Sequence, residues 1–275
     1  WLSGDVNLPE ISCSNGQEAG IMSKVLKPDY GIDAPELMRF FFLGGLAAAT
    51  FSLVLYFTWA VHSTGSVIAI GILAIIAAYL LGMGCLMLHG SKIGKIRERE
   101  LILDQISWHG NERVLDVGCG RGLMMVAAAR RLTSGIAVGV DIWSSKDQSG
   151  NNPTAALQNA RIERVEDRVK VCDGDARDLP FPDQNFDVVV SHWVVHNIES
   201  ENDRLRAITE MVRVLRPNGY LILADIEHSE SYLTILSNLK MRDIRLDFNR
   251  FKDTILRIVS FGSFRPKTIF ARKSI

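Results

Sequence analysis

The sequence predicts an α/β fold: a doubly wound parallel sheet closed by an antiparallel C-terminal hairpin and preceded by two transmembrane α-helices. Three observations carry that expectation. Between Phe40 and Leu88 there is no Asp, Glu, Lys or Arg, whereas from Ser91 onward charges are spread as in an ordinary soluble domain. From Arg113 short β-rich runs alternate with helical runs, the pattern of parallel strands covered on both faces. The first of those strands, VLDVGCGRG at residues 114–122, runs into a loop with three glycines.

Composition bounds the function classes. The chain has 275 residues, 47% of them hydrophobic, and a formal net charge of zero, which describes one sizeable core plus a local apolar surplus. A neutral chain without a clustered basic face is not expected to bind nucleic acid. Cys13, Cys85, Cys119 and Cys172 show neither CxxC spacing nor a dense framework, so free thiols in a reducing compartment and no metal site are expected.

Residues 1–36 form an N-terminal segment. The chain begins with Trp1, and residues 1–21 show no periodic pattern. Met22 therefore reads as the biological start, with 1–21 disordered or not native. Residues 37–90 form the hairpin. Its apolar runs, 40–61 and 66–88, each exceed the roughly 20 residues that cross a hydrocarbon core of about 30 Å. Buried core helices are the alternative, but such helices rarely run that far without a charge. The polar connection His62 to Gly65 makes the two helices antiparallel neighbours. Small residues recur at four-residue spacing, Gly44 with Ala48, and Ala74 with Ala78 and Gly82, a ridge that permits close helix approach in lipid or a homodimer through the hairpin. Lys24, Lys27 and Arg39 precede the first run and Lys92, Lys95, Arg97 and Arg99 follow the second, so both ends are expected on the cytoplasmic side of a two-span integral membrane protein. Tyr56, Phe57 and Trp59 near the far turn fit an interfacial belt. The apolar run is too long and too far from the start for a cleaved signal peptide.

Residues 91–112 read as an amphipathic linker helix, with Ile96, Leu101, Leu103 and Ile106 among charges. Residues 113–275 form the sheet domain. In its glycine-rich loop the backbone can approach a ligand at the carboxyl end of the first strand. The second strand ends in Asp141, where an acidic side chain accepts hydrogen bonds from ribose hydroxyls. A nucleoside-containing cofactor is implied, and to this point the pattern fits a dinucleotide-binding fold as well. Gly118, Gly120 and Gly122 give GxGxG and lack the third glycine of GxGxxG, while Asp173 and Asp175 fall at the end of the third strand. After the fifth strand the chain gives a helix and then MRDIRLDF and FRPKTIFARKSI, two strands able to form an antiparallel end to the sheet.

The motifs VLDVGCGRG, VGVDIW, CDGDARDLPF, FDVVVSHWVVHNI and RVLRPNGYLILADI, in this order, resemble those of class I S-adenosylmethionine-dependent methyltransferases, especially the quinone-biosynthesis branch, over about residues 95 to 275. The resemblance implies a Rossmann-like methyltransferase sheet with S-adenosyl-L-methionine as cofactor. It implies that Asp116, Gly118, Cys119, Gly120 and Gly122 cradle the methionine part and that Asp141, with Ile142 beside it, takes the ribose. It implies further that Asp175 and Ala176 face adenine and that Ser191 or His192 lies near the sulfonium. Asp173 and Asp178 read as solvated loop carboxylates rather than ligand contacts, and Cys119 and Cys172 as small apolar fillers beside the cofactor rather than nucleophiles.

Methyl transfer needs alignment and exclusion of water more than it needs a base. If the acceptor carries an acidic proton, His192, His196, Asp225, Glu227 and His228 fall at the carboxyl ends of the fourth and fifth strands. The candidates for catalysis are His192, Glu227 and His196, the last of which also reads as a helix-opening contact. The long polar loop from Trp143 to Asn152 is a candidate lid, with Trp143, Asp147 and Gln148 covering the site. It has no cysteine, which argues against trivalent arsenic. Three functions stay open: methylation of a quinone or lipid-like acceptor reached from the bilayer, methylation of a small thiol or sulfide, and a membrane scaffold that binds the cofactor without turnover.

Overall fold

The computed structural model describes residues 27–58, 63–144, 148–248, 250–260 and 265–275. Residues 1–21, Met22, Trp59 and Asp147 lie outside the described residues, as does Cys13. The chain divides into two compact units, one of Gly31–Glu98 with Ser145–Ser149, the other of the chain up to Tyr30 with Arg99–Ser144 and Gly150–Ile275.

The first unit is built on α1 (Pro35–Thr58) and α2 (Thr64–His89), both long and apolar enough to cross a membrane. Ser63 caps α2: its side chain accepts the Ser66 N–H, and the Ser66 side chain accepts the Ser63 N–H, so two helix-end donors are satisfied reciprocally. The two helices meet on Gly45 and Ser52 of α1 and on Ala77 and Gly84 of α2, the positions they bury. A Cβ at Gly45 would lie 2.8 Å from Leu81, one at Gly84 would lie 3.0 Å from Phe42, and Ser52 Oγ donates to the Ile70 carbonyl at 3.2 Å. The expected ridge lies on this seam only in part: a Cβ at Gly44 would be 3.6 Å from Leu80. Ala74, Ala78 and Gly82 are exposed, because small residues occur on several faces of α2 and four-residue spacing alone does not choose among them. A five-residue π turn, Gly90–Gly94, follows α2. Within this unit buried Lys95 donates to both Asp33 carboxylate oxygens and to the Gly31 carbonyl, and Ser91 donates to Asp33.

Helix α3 spans Lys95–Leu103 and stops well short of residue 112. Ile102, Leu103 and Ile106 are buried, whereas Leu101, expected on the apolar face, is 69% exposed.

The second unit holds a seven-stranded sheet in the order β3-β2-β1-β4-β5-β7-β6. Strands β1 (Arg113–Val117), β2 (Ile136–Asp141), β3 (Val169–Asp173), β4 (Phe186–His192) and β5 (Leu215–Asp225) run parallel. Strands β6 (Arg242–Asp247) and β7 (Lys267–Arg272) add antiparallel, β7 against β5, as the two C-terminal runs predict. Helices α4 (Leu123–Ala129), α5 (Pro153–Ile162), α6 (Glu201–Val214) and α7 (Ser229–Asn238) follow the strands, and α8 (Arg250–Val259) joins β6 to β7. Strand alternation builds two cores. Leu115, Val117, Val138, Val140, Val189 and Leu221 join Ile208 and Met211 of α6 on one face. Val114, Ala137, Val188, Val190 and Ile222 join Met124, Val126 and Ala160 of α4 and α5 on the other.

Candidate active site

The direction of chain growth reverses between β1 and β4, so the crevice at their carboxyl ends is the ligand position of an open α/β sheet. Gly118, directly after β1, has φ +73°, and a Cβ there would lie 2.3 Å from Val194. Only glycine fits. Three bulky residues also take left-handed backbone at strand ends: Trp143 after β2 (φ 60°), Trp193 after β4 (φ 58°) and His228 after β5 (φ 58°). Such conformations are costly for large side chains and cluster where a fold is shaped for a ligand.

The loop is held by carboxylates from below. Asp141 Oδ2 accepts the Gly120 N–H at 2.8 Å, and its Oδ1 accepts from Trp143 N–H at 2.6 Å and from Asn151 Nδ2 at 3.3 Å. Asp116 is buried on the α4 side of the sheet, where its Oδ2 accepts the Met125 N–H at 2.8 Å. Burial pushes its carboxyl up to about 7; the Met125 N–H opposes the shift and the Asp141 charge adds to it. The Gly118 and Cys119 N–H groups donate to the Val140 carbonyl.

The sequence-derived site residues therefore separate by what their side chains touch. Asp116, Cys119 and Ser191 face inward: Ser191 Oγ donates to the Val117 carbonyl at 3.0 Å, and the Cys119 thiol, its pKa raised by burial, sits where a Cβ on Gly139 would be 2.6 Å from its sulfur. Ile142, by contrast, is 67% exposed immediately after Asp141, which is 8% exposed and whose carboxylate already holds the loop. Asp175 is engaged bidentately by Arg177, whose guanidinium holds the Asp175 carboxyl below the usual range, and Ala176 packs against the hydrophobic core. Asp173, read as a solvated carboxylate, is exposed at the end of β3 and accepts from Trp143 Nε1 at 2.6 Å. Gln148, read as part of a lid, forms a β-bridge with Asp33 inside the hairpin unit. Among the cysteines, Cys85 and Cys119 are free thiols, but Cys172 is disulfide-bonded; this corrects the expectation of free thiols throughout, since spacing along the chain carries no information on spatial pairing.

At the ends of β4 and β5 one pair stands out. His196 Nδ1 lies 2.5 Å from Asp225 Oδ1, and the His196 backbone N–H donates to Asp225 Oδ2 at 3.0 Å. The Ile226 N–H and the buried Tyr232 hydroxyl also donate to that carboxylate. Asp225 is 4% exposed and orients the imidazole through a buried, multiply bonded carboxylate. With Nδ1 engaged, proton acceptance falls to Nε2. His192 stacks on Trp193, with ring centroids 5.0 Å apart. Glu227 is half-exposed, and its nearest ionic partner is His228 at 3.6 Å. Of the three catalytic candidates, His196 is the one set by a buried carboxylate. The pairing was not legible because the two residues lie 29 positions apart; only their shared place at adjacent strand ends hinted at it.

Comparisons with known proteins bear on the family and the fold. Residues 115–223 match the family described as methyltransferase domain. The chain is similar to methyltransferase GfsG of Streptomyces halstedii, at 35% identity over 130 residues covering 47% of this chain and 43% of that protein. It is also similar to demethylmenaquinone methyltransferase of Symbiobacterium thermophilum, at 34% identity over 177 residues covering 61% of this chain and 63% of that protein. The chain thus spans less than two thirds of the length of these relatives. Among solved structures, geranyl diphosphate methyltransferase in complex with SAM superposes with a TM-score of 0.52 at 16% identity, covering 69% of this chain and 88% of that one; at that identity the likeness is one of fold.

Proposed function

We propose that this chain, whose sheet unit is a class I S-adenosylmethionine-dependent methyltransferase domain, is a membrane-anchored enzyme that methylates a small or lipophilic acceptor carrying an acidic proton, of the quinol or lipid-like class. The observation that carries this reading is the His196 to Asp225 pair at the ends of β4 and β5. A thiolate or sulfide is already nucleophilic, whereas a hydroxyl or carbon acid needs its proton removed as the methyl arrives. An imidazole oriented by a buried carboxylate is suited to the second task.

The residues present fit the cofactor. Gly118 and Gly122 take left-handed backbone at the end of β1, the Gly118 position has no room for a side chain, and Ile142 is exposed beside Asp141. When bound, S-adenosylmethionine supplies an electrophilic methyl group on sulfur. The chain would supply the rest: Asp141 would take the ribose hydroxyls, the glycine loop would offer backbone to the methionine part, and His196 would take the acceptor proton at Nε2 while the Asp225 charge stabilises the resulting imidazolium. Asp116, Cys119 and Ser191 act through the loop.

Membrane anchoring on two spans, with the catalytic unit on the cytoplasmic side, is supported by side chains such as Phe57 and Ile75, 72% and 71% exposed on α1 and α2. Such faces need lipid or a partner to cover them. The flanking cations support the sidedness, and the demethylmenaquinone methyltransferase relative supports the acceptor class. The test offers methyl-labelled cofactor with a membrane-lipid extract and, separately, small thiols to the purified chain in detergent. Label in the lipid fraction that disappears in His196→Ala is expected. Label in a volatile thioether favours the thiol reading, and cofactor binding without label in either fraction favours the scaffold.

A further inference from the structure

We infer that the residues leading into the first apolar helix are a working part of the cofactor site: Asp29, clamped on Arg121, positions the GCGRG loop for S-adenosylmethionine. This rests on the methyltransferase reading and adds to it a positioning pair that no motif marks.

Arg121 is the only non-glycine between Gly120 and Gly122, and its side chain is fully committed. Its Nε donates to the Asp29 carbonyl at 2.6 Å, one Nη to the Asp29 carboxylate at 3.1 Å, and the other Nη to the Gly150 carbonyl at 3.1 Å. A single buried amide closes the circle. Asn159 Nδ2 donates to the carbonyls of both Asp29 and Arg121 at 2.9 Å, and its Oδ1 accepts the Asp29 N–H at 2.9 Å. The loop backbone at residue 121 and the strap backbone at residue 29 are thus fixed to one side chain that is 2% exposed.

The next residue drives the strap home. Tyr30 is 3% exposed, its ring lies 4.7 Å from the Arg99 guanidinium carbon, and its hydroxyl donates to Glu163. Arg99 in turn holds Glu163 through one Nη, at 2.9 and 3.3 Å, and its other Nη reaches the carbonyl of Leu123, the first residue of α4. The strap therefore fastens the loop at Arg121 and the helix that follows it.

The physical consequence concerns binding more than folding. Gly120 and Gly122, with φ of 52° and 82°, flank the tethered residue, and ordering glycines costs more conformational entropy than ordering any other residue. A loop held in place before the ligand arrives does not bear that cost during binding. Loss of the tether should weaken cofactor affinity while leaving the turnover of the filled site intact.

The test measures S-adenosylhomocysteine affinity by calorimetry, and cofactor KM against kcat, on the full chain in detergent. Arg121→Ala is expected to raise both Kd and cofactor KM about five- to tenfold, with kcat at saturating cofactor changed by less than about twofold. Arg121→Lys, which keeps the charge but not the three-way fork, falls between. Asp29→Ala gives a smaller rise that is not additive with Arg121→Ala. Gly150→Ala, at φ +65° and with a Cβ that would sit 2.5 Å from Arg121 Nη1, disturbs the clamp from its third partner while keeping Arg121 and Asp29, and carries the comparison if Arg121→Ala does not fold. A lowered melting temperature with Kd within about twofold of the parent chain makes the clamp merely structural and overturns the inference. A parent chain that does not bind the product at all overturns the methyltransferase reading instead, and the inference with it.

Discussion

Asp116 Oδ2 accepts the Met125 N–H at 2.8 Å, which ties the acidic residue of β1 to the first turn of α4 beneath the glycine loop. Burial raises this carboxyl from the ordinary carboxylate range to about 7. A raised folded-state pKa means that the folded protein binds the proton more tightly than the unfolded chain. The associated stability is fully present below about pH 4, declines as pH rises, and is lost once pH passes about 7. Asn at this position still accepts the Met125 N–H but does not ionise. The melting temperature of ligand-free Asp116→Asn is therefore expected to exceed that of the parent chain at pH 8, with the gap shrinking as pH falls towards 5. A gap independent of pH would mean that the carboxyl does not titrate in this range.

His196→Ala removes the proposed proton acceptor while leaving the glycine loop untouched. The rate with a hydroxyl or carbon-acid acceptor should fall about 10²- to 10⁴-fold, with cofactor Kd unchanged. Asp225→Asn keeps the shape but loses the charge that orients and compensates the imidazole, so a smaller loss is expected. A full rate in His196→Ala would remove His196 from the chemistry. Equal loss of binding and rate would instead place it in the pocket wall.

Gly118→Ala is the sharpest test of the loop. The backbone sits at φ +73°, and the new methyl would meet Val194 at 2.3 Å. Strain and overlap together should cost about 1 to 3 kcal/mol and displace the loop from the crevice. Product binding by calorimetry should fall sharply, whereas Gly118→Ala combined with Val194→Ala should recover part of it. No recovery in the double variant would assign the loss to backbone strain alone.

The parallel strands, the order of the motifs and the antiparallel end were legible because each rests on local periodicity, and alternation of apolar residues with strand-end glycines survives without knowledge of neighbours. What stayed hidden depends on partners far along the chain. Asp29 and Tyr30 sit in an aperiodic stretch, yet they bond to Asn159 and Glu163, 130 and 133 positions away. Nothing local announces that the Trp143 indole donates to the exposed Asp173. The backbone positions of the candidate site are named by motif, but that Asp116 holds the Met125 N–H and Asp141 the Gly120 N–H follows from packing. Asp116 and Asp141 look alike in sequence. Only the second stands beside an exposed apolar platform.

The hairpin offers a prediction in which neighbouring positions give opposite results. Gly45 and Gly84 stand where α1 and α2 touch, and added carbon would meet Leu81 at 2.8 Å and Phe42 at 3.0 Å. Gly82, two positions from Gly84, has nothing within 4 Å. Gly45→Leu or Gly84→Leu should force the helices apart at a cost of about 1 to 3 kcal/mol and lower the detergent melting temperature of the hairpin unit. Gly82→Leu should leave that temperature unchanged or raise it slightly, since leucine is the better helix former. Cysteines at Ser52 and Ile70, whose side-chain to backbone hydrogen bond marks the seam, give an independent readout: cross-linking should persist in Gly82→Leu and drop in Gly45→Leu. The reverse result would return the contact to the Ala74, Ala78 and Gly82 ridge.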